Sequence, residues 1–536
     1  MSSERPLVIR VGGPLLGVFL VGFDAMAVSL TLPSIQADLD ASFATLQWVV
    51  AAYFLAIAAT VITAGRLGDL HGRRRVFMIG LVVFGAASTV CALAPSAEVL
   101  LVGRVGQGLG AASLYSLSLA LTTAAVPREQ IGRGVAAWAT SGGLSMATAP
   151  LLAGALIDAF DWRAVFIVNV PIVIVALGMS RSFLKESTDP DAQPGVDVPG
   201  IATLSAGLAM LMLAFTQADA WGWGSAATIA VLAGSALMLG AFLVVESRVP
   251  NPLVDLDVFL RNGPFVGANF MAVAAYFSVY VLLFVTSLYL QDIRGDSPLG
   301  AGLRLLPFPI VFAITSQIAG RLVNRVGPLL PMVLGAGVMG AGLVMLSFAD
   351  ADTGELALAA AFVVFGAGMG LALVSISAAA LGSVPAGKIG AASGIRATSA
   401  YVGSGVGVAL TGAVLTLRER MRLGEITEEE GRRLTGDEQR EIDGVLAGSD
   451  AARARLDDFS PLQADQIVAA AADAFTAGMA TALRMCAVLL GLGALTAVLL
   501  VRRSRHRRPA PHGHATLPPP EEPHAKALAA ETSSGG

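Results

Sequence analysis

Residues 65–75 read GRLGDLHGRRR, and residues 320–330 read GRLVNRVGPLL. Each follows an apolar run of about 20 residues, the length that crosses a hydrocarbon core. Gly65, Leu67, Asp69 and Gly72 match Gly320, Leu322, Asn324 and Gly327 at an offset of 255. A second match lies further along: VPREQIG from Val126 faces VPAGKIG from Val384 at an offset of 258. At that same offset Gly108 and Gly110 face Gly366 and Gly368. Two separate matches at nearly one offset mean an internal repeat. A repeat unit of six apolar runs implies two half-bundles in one orientation, related by an axis along the membrane normal.

Composition agrees. Of 536 residues, 55% are hydrophobic and 14% charged, and mean hydropathy is +0.71. Soluble domains carry roughly 25% charge, so this surface must face lipid. Lys185, Lys388 and Lys526 are the only lysines, and none lies in a phosphate-binding loop motif, which excludes a P-loop ATPase. Cys91 and Cys486 lie in apolar runs and read as space-filling thiols. His71 is the only histidine outside the C-terminal tail, and no cluster has metal-ligand spacing. The reading assigns no metal, no cofactor beyond a proton gradient and no nucleic-acid partner. It speaks against a membrane enzyme or sensor.

Fourteen apolar stretches are long enough to span: 13–34, 46–66, 76–95, 98–126, 134–158, 163–184, 200–217, 225–246, 263–291, 300–320, 328–348, 356–382, 389–417 and 478–501. The expectation is an all-α polytopic membrane protein. Residues 1–185 form an N-terminal six-helix bundle, 186–262 hold inserted helices 7 and 8, and 263–501 form a C-terminal six-helix bundle. Within the last, 418–477 is a long external loop carrying one or two amphipathic surface helices with i,i+4 charge pairs. Residues 502–536 read as a disordered cytoplasmic tail. With the N-terminus inside, the inner loops hold fifteen Lys and Arg and the short outer loops hold two, Arg163 and Arg294. That bias places both termini in the cytoplasm. An Ala-, Gly- and Arg-rich, Lys-poor chain suits a GC-rich bacterial genome, hence the bacterial inner membrane.

Asp24 lies mid-helix in VGFDAMAVSLTLP from Val21. A charge at bilayer depth costs several kcal/mol unless it is paired, hydrated or protonated. That suits a group that loads and releases a proton, or a permanent pair with a polar group of helix 4. Arg104, early in helix 4 with Gln107 one turn on, either faces the interior or snorkels to the outer interface. Arg396 in helix 13 can anchor the interface or line a cavity. The substrate cavity belongs near the midplane between the halves. Its candidates are Phe23 and Met26 beside Asp24, Gln107, Asn269, Tyr276, Tyr280 and Gln317. Asn169 and Pro171 shape helix 6. Beyond Asp24 no acid lies at mid-depth, which favours neutral or singly charged amphipaths over multivalent cations.

GRLGDLHGRRR resembles the loop signature of the major facilitator superfamily, G-x-L-x-D-x-x-G-R-[RK]. LVGRVGQGLGAA from Leu101 resembles its helix-4 signature, WRAVFIVNVP from Trp162 its helix-6 start, and LGAGLRLLPFPIV from Leu299 the start of helix 10. With fourteen helices these resemble the drug–proton antiporters of the EmrB/QacA type. The resemblance implies proton coupling at Asp24, modulated by Arg104. It also implies a conformational latch between the halves at Gly65, Asp69, Gly72, Arg73 and Arg74. The family's helix-5 signature, G-x-x-x-G-P-x-x-G-G, is degraded here to SMATAPLLAG, with Ser145, Ala149, Pro150 and Gly154 in its positions. Small residues remain, so close helix packing is kept. The expected function is proton-coupled export of drugs or antibiotics by a monomer in the lipid bilayer. The alternative is export of a metabolite, siderophore or lipid on the same fold.

Overall fold

The computed structural model describes residues 7–188, 195, 197–249, 252, 262–385, 388–429, 442, 455 and 460–506. Of the tail expected to be disordered, residues 507–536 lie outside them, as does most of the segment from 430 to 459, whereas residues 502–506 continue the last helix. A chain in hydrocarbon must satisfy every backbone group within itself, so spanning segments become helices. Fourteen follow in order among the described residues: α1 Leu7–Leu39, α2 Phe43–His71, α3 Arg73–Ala92, α4 Ala97–Ala124 and α5 Ile131–Ala159. Then come α6, in two pieces Arg163–Ile167 and Asn169–Phe183, α7 Val198–Trp221 and α8 Ala226–Glu246. α9 is Gly263–Leu288, continued by a π-helical turn Tyr289–Ile293. α10 is Pro298–Leu305 and Pro307–Val326. They are followed by α11 Leu329–Leu346, α12 Glu355–Gly382, α13 Ile389–Glu429 and α14 Pro461–His506. Thirteen are long and apolar enough to cross a membrane. The remaining one, α4, spans 28 residues and packs on α2 and α3. The protein is an integral membrane protein, and exposed Ile79, Ile174, Leu237, Leu334 and Val488 suit contact with lipid.

The breaks have local causes. Pro171 has no N–H to give the Ile167 carbonyl, and α6 interrupts at Val168. Pro307 does the same in α10, which interrupts at Leu306. Ser42, Ser225, Ser297 and Asn262 cap the starts of α2, α8, α10 and α9 with side-chain oxygens.

The repeat is written into the packing. Gly72 and Gly327 both take positive φ, +108° and +79°, where an L side chain is strained. Both turns donate their glycine N–H back four residues, to the Gly68 and Val323 carbonyls, at 2.9 Å each. A Cβ on Gly110 would stand 2.8 Å from the Gly80 carbonyl oxygen, and one on Gly368 would stand 2.7 Å from that of Gly335. The α3–α4 and α11–α12 crossings are therefore the same crossing made twice. Gly108 likewise meets the Tyr53 carbonyl as Gly366 meets that of Phe308. Such contacts let helices approach backbone to backbone.

α1 packs with α4, α5 and α6 in the first half, and α9 packs with α12, α13 and α14 in the second. The halves meet along α2–α13, α5–α10 and α1–α9. α7 and α8 form a hairpin, tied by the Ser235 hydroxyl to the Gly207 carbonyl at 2.8 Å. α7 lies on the α2–α13 seam, where Trp48 Nε1 donates to Thr216 Oγ1 at 3.1 Å.

The charge-rich stretch expected as a loop with separate surface helices instead prolongs two spanning helices. α13 runs on to Glu429 and α14 begins at Pro461. Their extensions share an apolar seam of Leu423, Ile426, Ile467, Ala471 and Ala474 and an Arg422–Asp473 ion pair at 2.9 Å. Residues 418–429 are mostly strong helix formers, so nothing local stops α13 where the apolar run ends.

Candidate functional site

Asp24 sits halfway along α1 and is fully buried, as is Arg104 of α4 at 1% exposure. Arg104 Nη1 donates to Asp24 Oδ2 at 2.5 Å. Gln107 Nε2 and Asn169 Nδ2 both donate to Asp24 Oδ1, at 2.9 and 3.2 Å. The guanidinium also donates through Nε to the Val49 carbonyl at 2.8 Å and through Nη1 to Gln107 Oε1 at 2.8 Å. It lies over the Tyr53 ring, 4.4 Å from the centroid, a cation–π contact. Gln107 Nε2 donates further to Ser88 Oγ at 2.9 Å, and Cys91 Sγ reaches Gln107 Oε1 at 3.4 Å. α1, α2, α3, α4 and α6 therefore converge on one carboxylate. Both its oxygens are met, which is what makes an ion pair tolerable in a low-dielectric interior.

Arg104 thus faces the interior rather than the outer interface. Gln107 belongs to the Asp24 network, where both its polar atoms are taken up. Asn169 does more than shape α6: the helix break places it against Asp24. Cys91 fills space and also leans on the network.

A second cluster lies between the halves. Phe54 of α2 packs on Tyr280 of α9 at 4.3 Å between centroids, and on Tyr401 of α13 at 6.2 Å. Tyr115 of α4 meets Tyr401 at 5.6 Å and Trp138 of α5 at 6.2 Å, both edge-on. Arg396 of α13, 8% exposed, donates to the Tyr115 hydroxyl at 2.7 Å, and Tyr276 faces the same guanidinium. Of six tyrosines in the chain, five (Tyr53, Tyr115, Tyr276, Tyr280 and Tyr401) gather in these two clusters. The sequence marks Tyr276 and Tyr280. It does not mark Tyr115, Trp138, Tyr401 or the burial of Arg396, although the scarcity of tyrosine is a usable signal.

The other candidates are placed as follows. Phe23 is buried and stacks on Phe19 at 5.9 Å, and Met26 is buried. Asn269 is buried and donates to the Phe265 carbonyl of its own helix at 2.8 Å, leaving its Oδ1 without a partner. Gln317 is exposed on the face of α10 that carries Ile314 and Ile318. Ser145 donates to the Gly142 carbonyl at 2.7 Å and touches α1 at Gly22. Ala149 is buried, and Pro150 and Gly154 abut Gly302 and Leu299 of α10. The degraded helix-5 motif therefore forms the α5–α10 seam between halves.

In the first repeat loop, Arg73 Nε donates to Asp69 Oδ1 at 2.8 Å. Asp69 does not cap a helix. Glu186 does, accepting from the Arg74 and Arg75 backbone N–H groups at 2.9 and 3.1 Å; an acid suits the positive end of α3. Arg74 Nη2 donates to the Arg181 carbonyl at 3.2 Å. A Cβ on Gly72 would stand 2.6 Å from the Glu186 carboxyl, so glycine is required there twice over. A Cβ on Gly65 would meet Ser116 Cβ at 3.7 Å, an ordinary contact. The bond between Asp69 and Arg73, and those from Arg74 to Glu186 and Arg181, join α2, α3 and the end of α6 without reaching the C-terminal half.

Two pseudo-symmetric helical halves, seams of small residues and a buried ion pair define a polytopic membrane transporter. The chain belongs to the Major Facilitator Superfamily, whose family model matches residues 15–408. It is 35% identical over 416 residues to the "Multidrug resistance protein Stp" of Mycobacterium tuberculosis, covering 77% of this chain and 76% of that one. It is 33% identical over 506 residues to the "Drug efflux pump JefA" of the same organism, covering 91% and 97%. The "Tetracenomycin C resistance and export protein" of Streptomyces glaucescens is 33% identical over 402 residues, covering 75% and 74%. Among solved structures, a bacterial homologue of the human lysosomal transporter Spinster, in an inward-facing and unoccupied conformation, shares the fold. Its TM-score is 0.66 at 16% identity, covering 95% of this chain and 100% of that one.

Proposed function

We propose that this protein is a proton-coupled exporter of amphipathic small molecules, working by alternating access in a bacterial cytoplasmic membrane with both termini inside. One observation carries the reading: a fully buried carboxylate, Asp24, is held by Arg104 at 2.5 Å on the helix that also ties the halves together. Just over one turn beyond Asp24, the Ser29 and Leu30 carbonyls accept from Ser287 Oγ at 2.6 Å and Gln291 Nε2 at 3.2 Å, both on α9. A proton on Asp24 Oδ2 cancels the ion pair and frees α1 from α4 electrostatically. Deprotonation restores the pair. A charge change at this one atom therefore bears on the contact between halves.

The drug-resistance and export names of the relatives support amphipathic substrates. The protein needs no second copy, since both halves come from one chain. The α1–α9 and α5–α10 contacts sit at the end of the bundle opposite the Gly65–Arg75 loop. With that loop in the cytoplasm, as the positive-inside bias favours, these contacts support a state closed outward.

The test uses purified protein in proteoliposomes with an imposed pH gradient and a panel of amphipathic dyes. The wild type should move dye against its gradient. Asp24→Asn should lose all gradient-driven movement but keep dye exchange at equal concentrations. Gradient-driven pumping by Asp24→Asn at the wild-type rate would refute the reading.

A further inference from the structure

The two buried arginines differ in one respect. Arg104 has a carboxylate, whereas Arg396 has none among the described residues. Its guanidinium carries five N–H donors and meets only neutral phenols, the Tyr115 hydroxyl at 2.7 Å and Tyr276. Arg396 is 8% exposed and lies seven residues into α13, about 10 Å from its start at 1.5 Å per residue. A positive charge at that depth is expensive when nothing neutralises it. Its surroundings are aromatic and come from both halves. Tyr115, Trp138 and Phe54 belong to the first half, and Tyr276, Tyr280 and Tyr401 to the second. Phe54, Tyr280 and Tyr401 pack on one another at 4.3–6.2 Å between centroids, and the partly exposed rings beside them offer surface on which a flat π-system stacks. Tyr115, Tyr276 and Trp138 are only half-buried, so the cluster is reachable.

We propose that Arg396 and its tyrosines form the substrate site, and that its preferred substrates are planar aromatic acids, carrying a carboxylate or an ionised phenol or enol on a fused or linked ring system. The acid supplies the counter-charge the guanidinium lacks, in the bidentate geometry an arginine fork favours. The rings lie against half-buried Tyr115, Tyr276 and Trp138 on the reachable side of the cluster, because Phe54, Tyr280 and Tyr401 already pack on one another. Because the site is built from α2, α4 and α5 on one side and α9 and α13 on the other, substrate placed there touches both moving halves. This names the substrate class of the transporter proposed above and rests on that reading.

The experiment compares two probes with the same xanthene rings and opposite charge, the anion fluorescein and the cation rhodamine 123. Binding is measured by fluorescence anisotropy to the full chain in phosphatidylcholine nanodiscs. A hydrogen bond to a charged group is worth about ten- to hundredfold in affinity. The wild type should therefore bind fluorescein at least about tenfold tighter than rhodamine 123. Arg396→Gln should lose that preference, weakening fluorescein alone. If Arg396→Gln does not give a monodisperse protein, Arg396→Lys, which keeps charge but not the fork, should weaken fluorescein severalfold and leave rhodamine 123 unchanged. Equal binding or a rhodamine preference in the wild type would overturn the proposal. So would fluorescein affinity that either folded variant leaves untouched. A pH-gradient uptake assay on proteoliposomes separates the two readings. Fluorescein bound through Arg396 but not pumped upholds the site and removes the transport reading. Rhodamine 123 pumped while fluorescein neither binds nor moves does the reverse.

Discussion

The two halves of this protein share their glycines and differ in their charges. Gly80 and Gly110 cross as Gly335 and Gly368 do, carbonyl against Cα. Yet at the offset of 258 that relates these helices, Arg104 stands opposite Phe362 and Trp138 opposite Arg396. The first half holds an ion pair between α1 and α4, and the second has a fully buried phenylalanine in the place of its arginine. Trp138 and Arg396, equivalent positions on α5 and α13, both pack on Tyr115. Packing is thus common to the halves, while chemistry is divided between them: a buried ion pair in one, and in the other an arginine with no carboxylate partner among the described residues.

This division can be broken by substitution, and the effects should fall in order. Arg104→Ala leaves Asp24 buried without its cation, and removing one partner of a buried pair costs about 3–5 kcal/mol. It should lower the thermal midpoint in detergent sharply. Asp24→Asn/Arg104→Gln should recover much of the loss, while transport stays uncoupled from pH in both. Gly110→Ala and Gly368→Ala should be alike, since each forces a Cβ against backbone on both sides. Overpacking of this kind costs about 1–3 kcal/mol. Thermal midpoints that fall by similar amounts would support equivalent crossings, and a midpoint lowered in one alone would not. The smallest effect belongs to Glu186→Gln, which removes the charge at the start of α3 and leaves one acceptor oxygen for the Arg74 and Arg75 amides. That charge is worth about 0.3–1 kcal/mol, and hydrogen exchange of the Arg74 and Arg75 amides should rise severalfold, with the rest of the bundle unchanged.

Much of this is legible in the sequence. A lone carboxylate amid VGFDAMAV stands out, and the repeat is visible in two loops and two glycines. The partners of Asp24 are less so. Arg104 suggests itself, but Asn169 comes from a helix break set by Pro171, and Ser88 from the facing side of α3. The helix-5 remnant SMATAPLLAG keeps its small residues, and these lie on the α10 seam. The stretch after Leu417 resembles a loop because its charge rises, whereas charge does not end a helix made of Arg, Glu, Leu and Met. Arg396 is ambiguous in sequence because its partners Tyr115 and Tyr276 come from two other helices, one in the other half and one far earlier in the chain. No local pattern records a contact between Arg396 and Tyr115.

The central claim is that the proton on Asp24 sets how the two halves stand. It is tested most directly by a distance between the two repeat loops. Spin labels at exposed His71 and Arg325, with the buried Cys91 and Cys486 replaced by serine, report that distance by pulsed electron resonance in nanodiscs. The account predicts two distance populations whose weights change between pH 5.5 and pH 8, and a single pH-independent distribution in Asp24→Asn. A wild-type distribution that ignores pH, or a variant that responds as the wild type does, would contradict it.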